Sequence, residues 1–265
     1  EVFPLLNSGE AINVITFEYI PLFCIPLPQK YNPVIVTPIR NSRIAVSGEL
    51  IREEGLELSG IDNVLERYIL SFYQFIYDEL GFDHGFRIRS EGSTLYKGFT
   101  YVAITNSMAK LLAGRLTNEV YEFLNMIDNR FGIPQCITAL RVYERIGEAY
   151  IWRYGDDAVN MGRFDVFVKG SSSISDSVHR NPIIDDAQIN NILTRLIGLV
   201  IIGIYNTIGS HDINLLNNYI NVFNKIWESI YVFKECPCNK FMPNHTYLYV
   251  QDIDEVLALE IELHI

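Results

Sequence analysis

The sequence predicts an α+β fold, and three observations carry that reading. Strand-like runs gather at the start of the chain, in its middle and at its end. Two long apolar helical stretches follow one another late in the chain instead of alternating with strands. Between Arg87 and Gly114 a short strand gives way to a polar loop that opens into an apolar helix.

Ala11 to Cys24 is rich in β-branched and aromatic residues and reads as a strand. Pro26, Pro28 and Pro33 punctuate the loop after it. Val34 to Thr37 and Arg43 to Ser47 read as two further short strands, and Glu49 to Ser59 as an acidic, exposed segment. Asp62 is placed to cap a helix whose apolar stripe is Val64, Leu65, Tyr68, Ile69, Phe72, Phe75, Ile76 and Leu80, ended by Gly81. Phe86 to Ile88 is a strand, followed by the loop and a helix expected to begin within a few residues of Thr100. Thr117 caps a further helix, with Gly132 and Pro134 beyond its end. Ala149 to Arg153 and Phe164 to Lys169 read as strands separated by a turn at Asp156-Asp157. Ser171 to Asp186 is polar and serine-rich, as a loop would be. Ala187 to Thr207 and Asn214 to Phe233 are expected as helices, broken at Gly209 to Asp212. A strand over Thr246 to Val250 and a helix over Asp252 to His264, capped by Asp252, close the chain.

A chain of 265 residues, 49% hydrophobic, can bury a large core. A net charge of −11 argues against a nucleic-acid binder, which normally shows a basic face. Arginines outnumber lysines, as is compatible with a hot habitat. Four cysteines are too few for a disulfide framework, and Cys24 and Cys136 are expected as small core residues. No signal peptide is legible at Glu1. The apolar run Leu196 to Tyr205 is short of the roughly 20 residues that span a bilayer. It reads as a buried core helix of a cytoplasmic protein without membrane partners.

The loop after Phe86 to Ile88 carries the candidate chemistry. A helix N-terminus offers backbone N–H groups and a positive dipole end to an anion. Ser93, Thr94, Lys97, Gly98 and Thr100 would bind phosphate there: Gly98 admits the ligand to the backbone, Lys97 neutralises it, and the hydroxyls donate. The competing reading is an ordinary strand-to-helix turn crowded by Phe99 and Tyr101. Arg87 and Arg89 share one face of their strand, either as an anion clamp, with Arg163 and Lys169 converging on it, or as a solvated face. Asp156 and Asp157 are either the catalytic carboxylates, as base or Mg2+ ligand, or turn residues bonding their own backbone. Cys236-Pro237-Cys238 with His245 supplies one close pair only, so no structural metal site is expected.

The order of these elements resembles the GHMP kinase superfamily, and within it is most similar to the β-ribofuranosylaminobenzene 5′-phosphate synthases. Asn13 to Phe23 is similar to the opening strand of that family. Gly162-Arg163-Phe164-Asp165-Val166-Phe167-Val168-Lys169-Gly170 resembles its glycine-flanked strand, and Pro243 to Val250 its closing strand. The phosphate loop departs from the pattern: Lys97-Gly98-Phe99-Thr100-Tyr101-Val102 keeps one glycine and one hydroxyl residue. The resemblance implies a two-lobe GHMP-kinase-like fold, with an N-terminal phosphate-loop lobe over 1–160, a helix-rich lobe over 161–265, and a ligand cleft between them. It implies a phosphorylated small-molecule ligand, phosphoribosyl diphosphate with an aromatic acid acceptor or ATP, and allows Mg2+ as a cofactor, leaving any other cofactor open. A homo-oligomer is allowed. Two functions stand open: a phosphoribosyl- or phosphoryl-transferring enzyme, and a non-catalytic relative acting as a binding or protein-interaction module.

Overall fold

In the computed structural model, which describes residues 11–27, 32–92, 95–174, 178–180, 182–233 and 246–265, the chain opens on strand β1, Ala11–Phe23. The two strands expected next are one, β2, spanning Val34–Ile51. The polar run in its middle stays extended because each side chain finds a partner. Arg40 bonds Asp165 and Glu148, Asn41 exchanges bonds with the Val168 backbone, and Ser42 donates to Glu18. Satisfied in this way, polar residues need not break a strand.

By its internal contacts the chain divides into two compact units, Glu1–Glu18 with Ser42–Ile133, and Tyr19–Asn41 with Pro134–Ile265. The division differs from the expected cut at 160: Tyr19–Asn41 and the segment from Pro134 to Asn160 group with the second unit.

In the first unit the second half of β2 pairs antiparallel with β4, Gly85–Gly92, in register from Ile44 with Gly92 to Ile51 with Gly85. Strand β3, Leu56–Ser59, joins β4 in parallel. Helix α1, Asn63–Leu80, is capped by Asp62, whose carboxylate accepts from Val64 N at 2.8 Å. It buries Leu65, Ile69, Phe72, Tyr73, Phe75 and Ile76, much of the expected stripe. Helix α2 spans Lys97–Ala113, and α3, Asn118–Arg130, is capped by Thr117. Edge-to-face pairs tie these elements together: Tyr73 with Phe86 at 6.0 Å, and Tyr68 with Tyr101 at 6.3 Å.

In the second unit short helices α4, Gln135–Thr138, and α5, Tyr143–Ile146, lead into β5, Ala149–Trp152, which pairs with the first half of β2. Strand β6, Val159–Gly162, which sequence patterning missed, pairs with β5. Strand β7, Asp165–Ser173, is followed by β8, Val178–Arg180, and a 3-10 turn at Pro182–Asp185, so the described part of the serine-rich segment is not simply loop. Helices α6, Ala187–Ser210, and α7, Ile213–Ile230, are capped by Asp186 and Asp212. They cross closely at Gly203, where a Cβ would stand 2.5 Å from the Tyr219 ring. Strand β9, Tyr231–Phe233, pairs with β8, and β10 spans Thr246–Gln251.

The last element corrects the expectation. Residues Val256–His264 form strand β11, not a helix. It lies between β10 and β7, antiparallel to both, and buries Val256, Leu257, Ala258 and Leu259 in succession. A strand covered on both faces loses its alternation, and its continuous apolar run cannot be told from a helix by periodicity. Asp252 caps no helix; its carboxylate takes the Ile253 N–H and its own N–H bonds Glu255 O, closing the β10–β11 turn. A second correction concerns Cys24 and Cys136. They are buried as expected but joined by a disulfide across a sequence separation of 112.

Candidate functional site

The candidate site begins where β4 ends. Gly92 has a φ of 107°, and a Cβ there would stand 2.5 Å from Arg43 O, so only glycine fits. The described chain resumes at Leu95, and α2 begins at Lys97, close to where it was expected. Ser93 and Thr94 lie outside the described residues.

The residue before α2, Tyr96, contributes no side-chain cap. The cap comes from β1 instead. Glu18 is fully buried, and its Oε1 accepts the Tyr96 N–H at 2.7 Å. Ser42 Oγ donates to Oε2 of the same carboxylate at 2.5 Å. A protein carboxylate thus sits at the positive end of the helix, the place where the sequence reading put a ligand phosphate. Sequence reasoning missed Glu18. The available signal was an acidic residue in an otherwise β-branched and aromatic strand, which is costly to bury unless it is bonded.

In the first turn, Lys97 is half-buried and Gly98 buried. Gly98 is helical and does not take a positive φ, so its freedom to adopt one is not what the turn uses. Thr100 is 1% exposed, and its Oγ1 finds no hydrogen-bond partner. Phe99 and Tyr101 are buried as well. Tyr101 is directed into the helical core of its unit: its ring packs on Tyr68 of α1, and its hydroxyl donates to Asp128 of α3 at 3.3 Å.

The other expected residues are drawn elsewhere. Arg87 and Arg89 share a face of β4, as alternation required, and that face is exposed. Arg87 is held by Glu57 and Glu49, and Arg89 by Glu91. Hydrogen bonds that it donates to Glu57 and then to Glu49 raise the Arg87 guanidinium above its ordinary range. Asp156 and Asp157 belong to the second unit. Asp156 sits in the turn after β5, where its N–H bonds Arg153 O and its carboxylate takes the Arg153 guanidinium. Asp157 is 3.9 Å from Arg145, with its side chain 92% exposed. Arg163 and Lys169 pair locally with Asp165 and Glu262. Among the described residues, no three of histidine, cysteine, aspartate or glutamate gather as metal ligands. Asp156 and Asp157 are both solvated and face arginines. Cys236, Cys238 and His245 lie outside the described residues.

A second charged cluster, also missed, centres on Arg40 of β2. Its Nε bonds Asp165 Oδ1 and its terminal nitrogen bonds Glu148 Oε2, each at 2.7 Å. Burial opposes ionisation of Asp165, but Arg163 and Arg40 outweigh it and hold the carboxyl below its usual range. Tyr19, beside this cluster and packed on Tyr143, is pushed up to about 12, first by burial and then by the Glu148 charge.

No family model and no curated protein matches this sequence. Solved structures do match it. The L. major mevalonate kinase crystallised with R-mevalonate aligns at a TM-score of 0.64 and 12% identity, over 96% of this chain and 90% of that one. The Streptococcus pneumoniae phosphomevalonate kinase aligns at 0.58 and 10% identity, over 96% and 98%. The Staphylococcus aureus mevalonate diphosphate decarboxylase aligns at 0.58 and 11% identity, over 94% and 87%. Likeness at such identity speaks for the fold alone, and that fold is GHMP-kinase-like and α+β.

Proposed function

We propose that the chain binds a phosphorylated small molecule at the N-terminal end of α2. The observation that carries this reading is the first turn of that helix, where a glycine, a half-buried lysine and a buried threonine hydroxyl without a partner follow a strand and its loop. A buried hydroxyl left unbonded costs free energy that a phosphate oxygen would recover. Lys97 neutralises the ligand, Gly98 admits it to the backbone, and Thr100, with Ser93 and Thr94 of the loop, bonds its oxygens. ATP and phosphoribosyl diphosphate are the ligands to test first. The neighbouring Thermoplasma acidophilum mevalonate-3-kinase, at a TM-score of 0.52 and 13% identity, was crystallised with mevalonate 3-phosphate and ADP bound. Binding is better supported than transfer. Arg87 and Arg89 are committed to glutamates, Asp156 and Asp157 to arginines, and no step is assigned to Mg2+. The compartment we propose is the cytoplasm, where phosphorylated metabolites are made; the Cys24–Cys136 disulfide weighs against it, since such bonds are rare in reducing compartments outside hyperthermophiles.

The second reading is a non-catalytic binding or interaction module, and Glu18 favours it. A carboxylate already bonded to the α2 N-terminus repels an incoming phosphate and takes one of the donors it would use. Calorimetric titration with ATP, phosphoribosyl diphosphate and inorganic diphosphate, with and without magnesium, separates the two. The binding reading expects saturable heat that Lys97→Ala weakens by about tenfold to a hundredfold, the worth of a charge-assisted bond. Gly98→Val weakens it further by blocking backbone approach. The module reading expects no saturable heat from any of the three.

A further inference from the structure

Helix α6 carries an apolar face that stays open to solvent among the described residues. Over its 24 residues, Ile197, Val200, Ile201, Ile204 and Ile208 are buried in the core. On the opposite side Ile192 is 65% exposed, Leu196 42%, Leu199 68% and Ile202 49%. These four recur at spacings of four, three and three residues, which is one continuous stripe on a helix. The sequence reading of Leu196 to Tyr205 as a buried core helix therefore holds for one side of the helix and not for the other. Helix α7 extends the patch. Tyr219 lies against Gly203, and Leu215 and Val222, a turn to either side of Tyr219, are 43% and 45% exposed. A contiguous apolar face of this kind marks an interaction surface in a soluble domain.

We propose that this face is a homodimer interface, in which the α6 helices of two copies pack antiparallel about a two-fold axis at Leu199. The stripe is self-complementary about that residue. An antiparallel pair centred there sets Leu199 against its own copy and Leu196 against Ile202. Such isologous matching is what a two-fold contact requires. Charge points to the same occupant. The chain carries a net charge of −11, so two copies repel wherever their carboxylates meet. Helix α6 has one charged side chain, Arg195, and no carboxylate. It is a face that like-charged copies can share. A lipid surface is a poorer match, because an interfacial helix draws on several cations along its polar flanks. The helix is long and apolar enough to cross a membrane, yet Asp186 caps it within the fold and one side of it is buried in the core. From Ile192 to Ile202 the stripe runs about 15 Å. Even widened by α7 it falls short of the largest obligate interfaces, so a reversible dimer with a dissociation constant of roughly 1–100 µM is expected.

Sedimentation velocity over a dilution series of the full chain tests this, alongside Leu199→Glu, with circular dichroism to establish that the variant is folded. The expected result is a concentration-dependent dimer whose dissociation constant Leu199→Glu raises by roughly a hundredfold, because two carboxylates would then face each other on the axis. A geometric test uses Leu199→Cys with Cys236→Ser and Cys238→Ser. Its thiols should join two copies through a disulfide on mild oxidation, whereas Met126→Cys on exposed α3 in the same background should not. A chain that stays monomeric at every concentration overturns the proposal. So does a dimer untouched by Leu199→Glu, or a monomer that floats with phosphatidylcholine vesicles unless Leu199 is changed.

Discussion

Helices α2 and α6 look alike as sequences and differ as structures. Both are long and apolar, and both read as core-forming. In α2, fourteen of seventeen residues are buried, and they lie all around the helix. In α6, eight of twenty-four are buried, and they lie along one side. Both helices bury polar residues: Thr100, Thr105, Asn106 and Ser107 in α2, and Asn190, Thr194 and Thr207 in α6. Thr105 returns its hydroxyl to Tyr101 O at 2.8 Å, but Thr100 Oγ1 and Ser107 Oγ have no partner. The half-exposed helix keeps large apolar side chains on its open face. Apolar content fixes that a segment will be at least partly buried. It does not fix how many sides are covered.

Truncation should separate the two helices most sharply. Phe99→Ala empties a fully buried ring position in α2 and should cost about 3–5 kcal/mol. Leu199→Ala on the open face of α6 should change monomer stability by no more than about 0.5 kcal/mol. Urea unfolding of both at a concentration that keeps the chain monomeric reads the contrast directly. Comparable losses would mean that α6 is covered within its own chain, and would remove the ground for a dimer as well.

The next effect probes the end of α2. Glu18→Gln keeps the shape of the cap and removes its charge. The Tyr96 N–H would then donate to a neutral amide oxygen, and the helix would lose its facing anion. A loss of about 1–2 kcal/mol is expected by thermal unfolding. The same variant sharpens the functional question. If the Glu18 carboxylate is what keeps phosphate out, Glu18→Gln should bind inorganic diphosphate better than the unmutated chain does. If binding is unchanged, the anion site lies elsewhere or does not exist.

The helices, their caps at Asp62 and Thr117, and the strand–loop–helix at the candidate site were legible because each depends on residues near in sequence. What escaped was non-local. The Glu18 cap joins residues far apart in the chain, as do the Arg40 bonds to Glu148 and Asp165 and the Cys24–Cys136 disulfide. No local pattern announces any of them. β11 was misread because its burial on both faces erased the alternation that strands are recognised by. Arg87 and Arg89 were placed correctly on one face of a strand, but alternation cannot say that glutamates on β2 and β3 already face Arg87.

The smallest effect expected concerns the Thr100 hydroxyl. Thr100→Val replaces a buried oxygen by a methyl group of similar shape and keeps a β-branched residue, so helix propensity and packing change little. In the unliganded chain the oxygen gains nothing from its surroundings, since it is closed to water and has no partner. Removing it should raise stability by about 1 kcal/mol, the low end of what an unsatisfied buried polar atom costs. In the presence of a bound phosphate the sign should reverse, because the variant forfeits a bond that the hydroxyl makes only to the ligand. Thermal shift of the unmutated chain and of Thr100→Val, measured with and without saturating diphosphate, therefore reads one atom in two states. Stabilisation without ligand together with a smaller ligand-induced shift supports a phosphate site at α2. Stabilisation without ligand and an unchanged ligand-induced shift leaves Thr100 as an unsatisfied core residue, and takes from the binding proposal the observation it rests on.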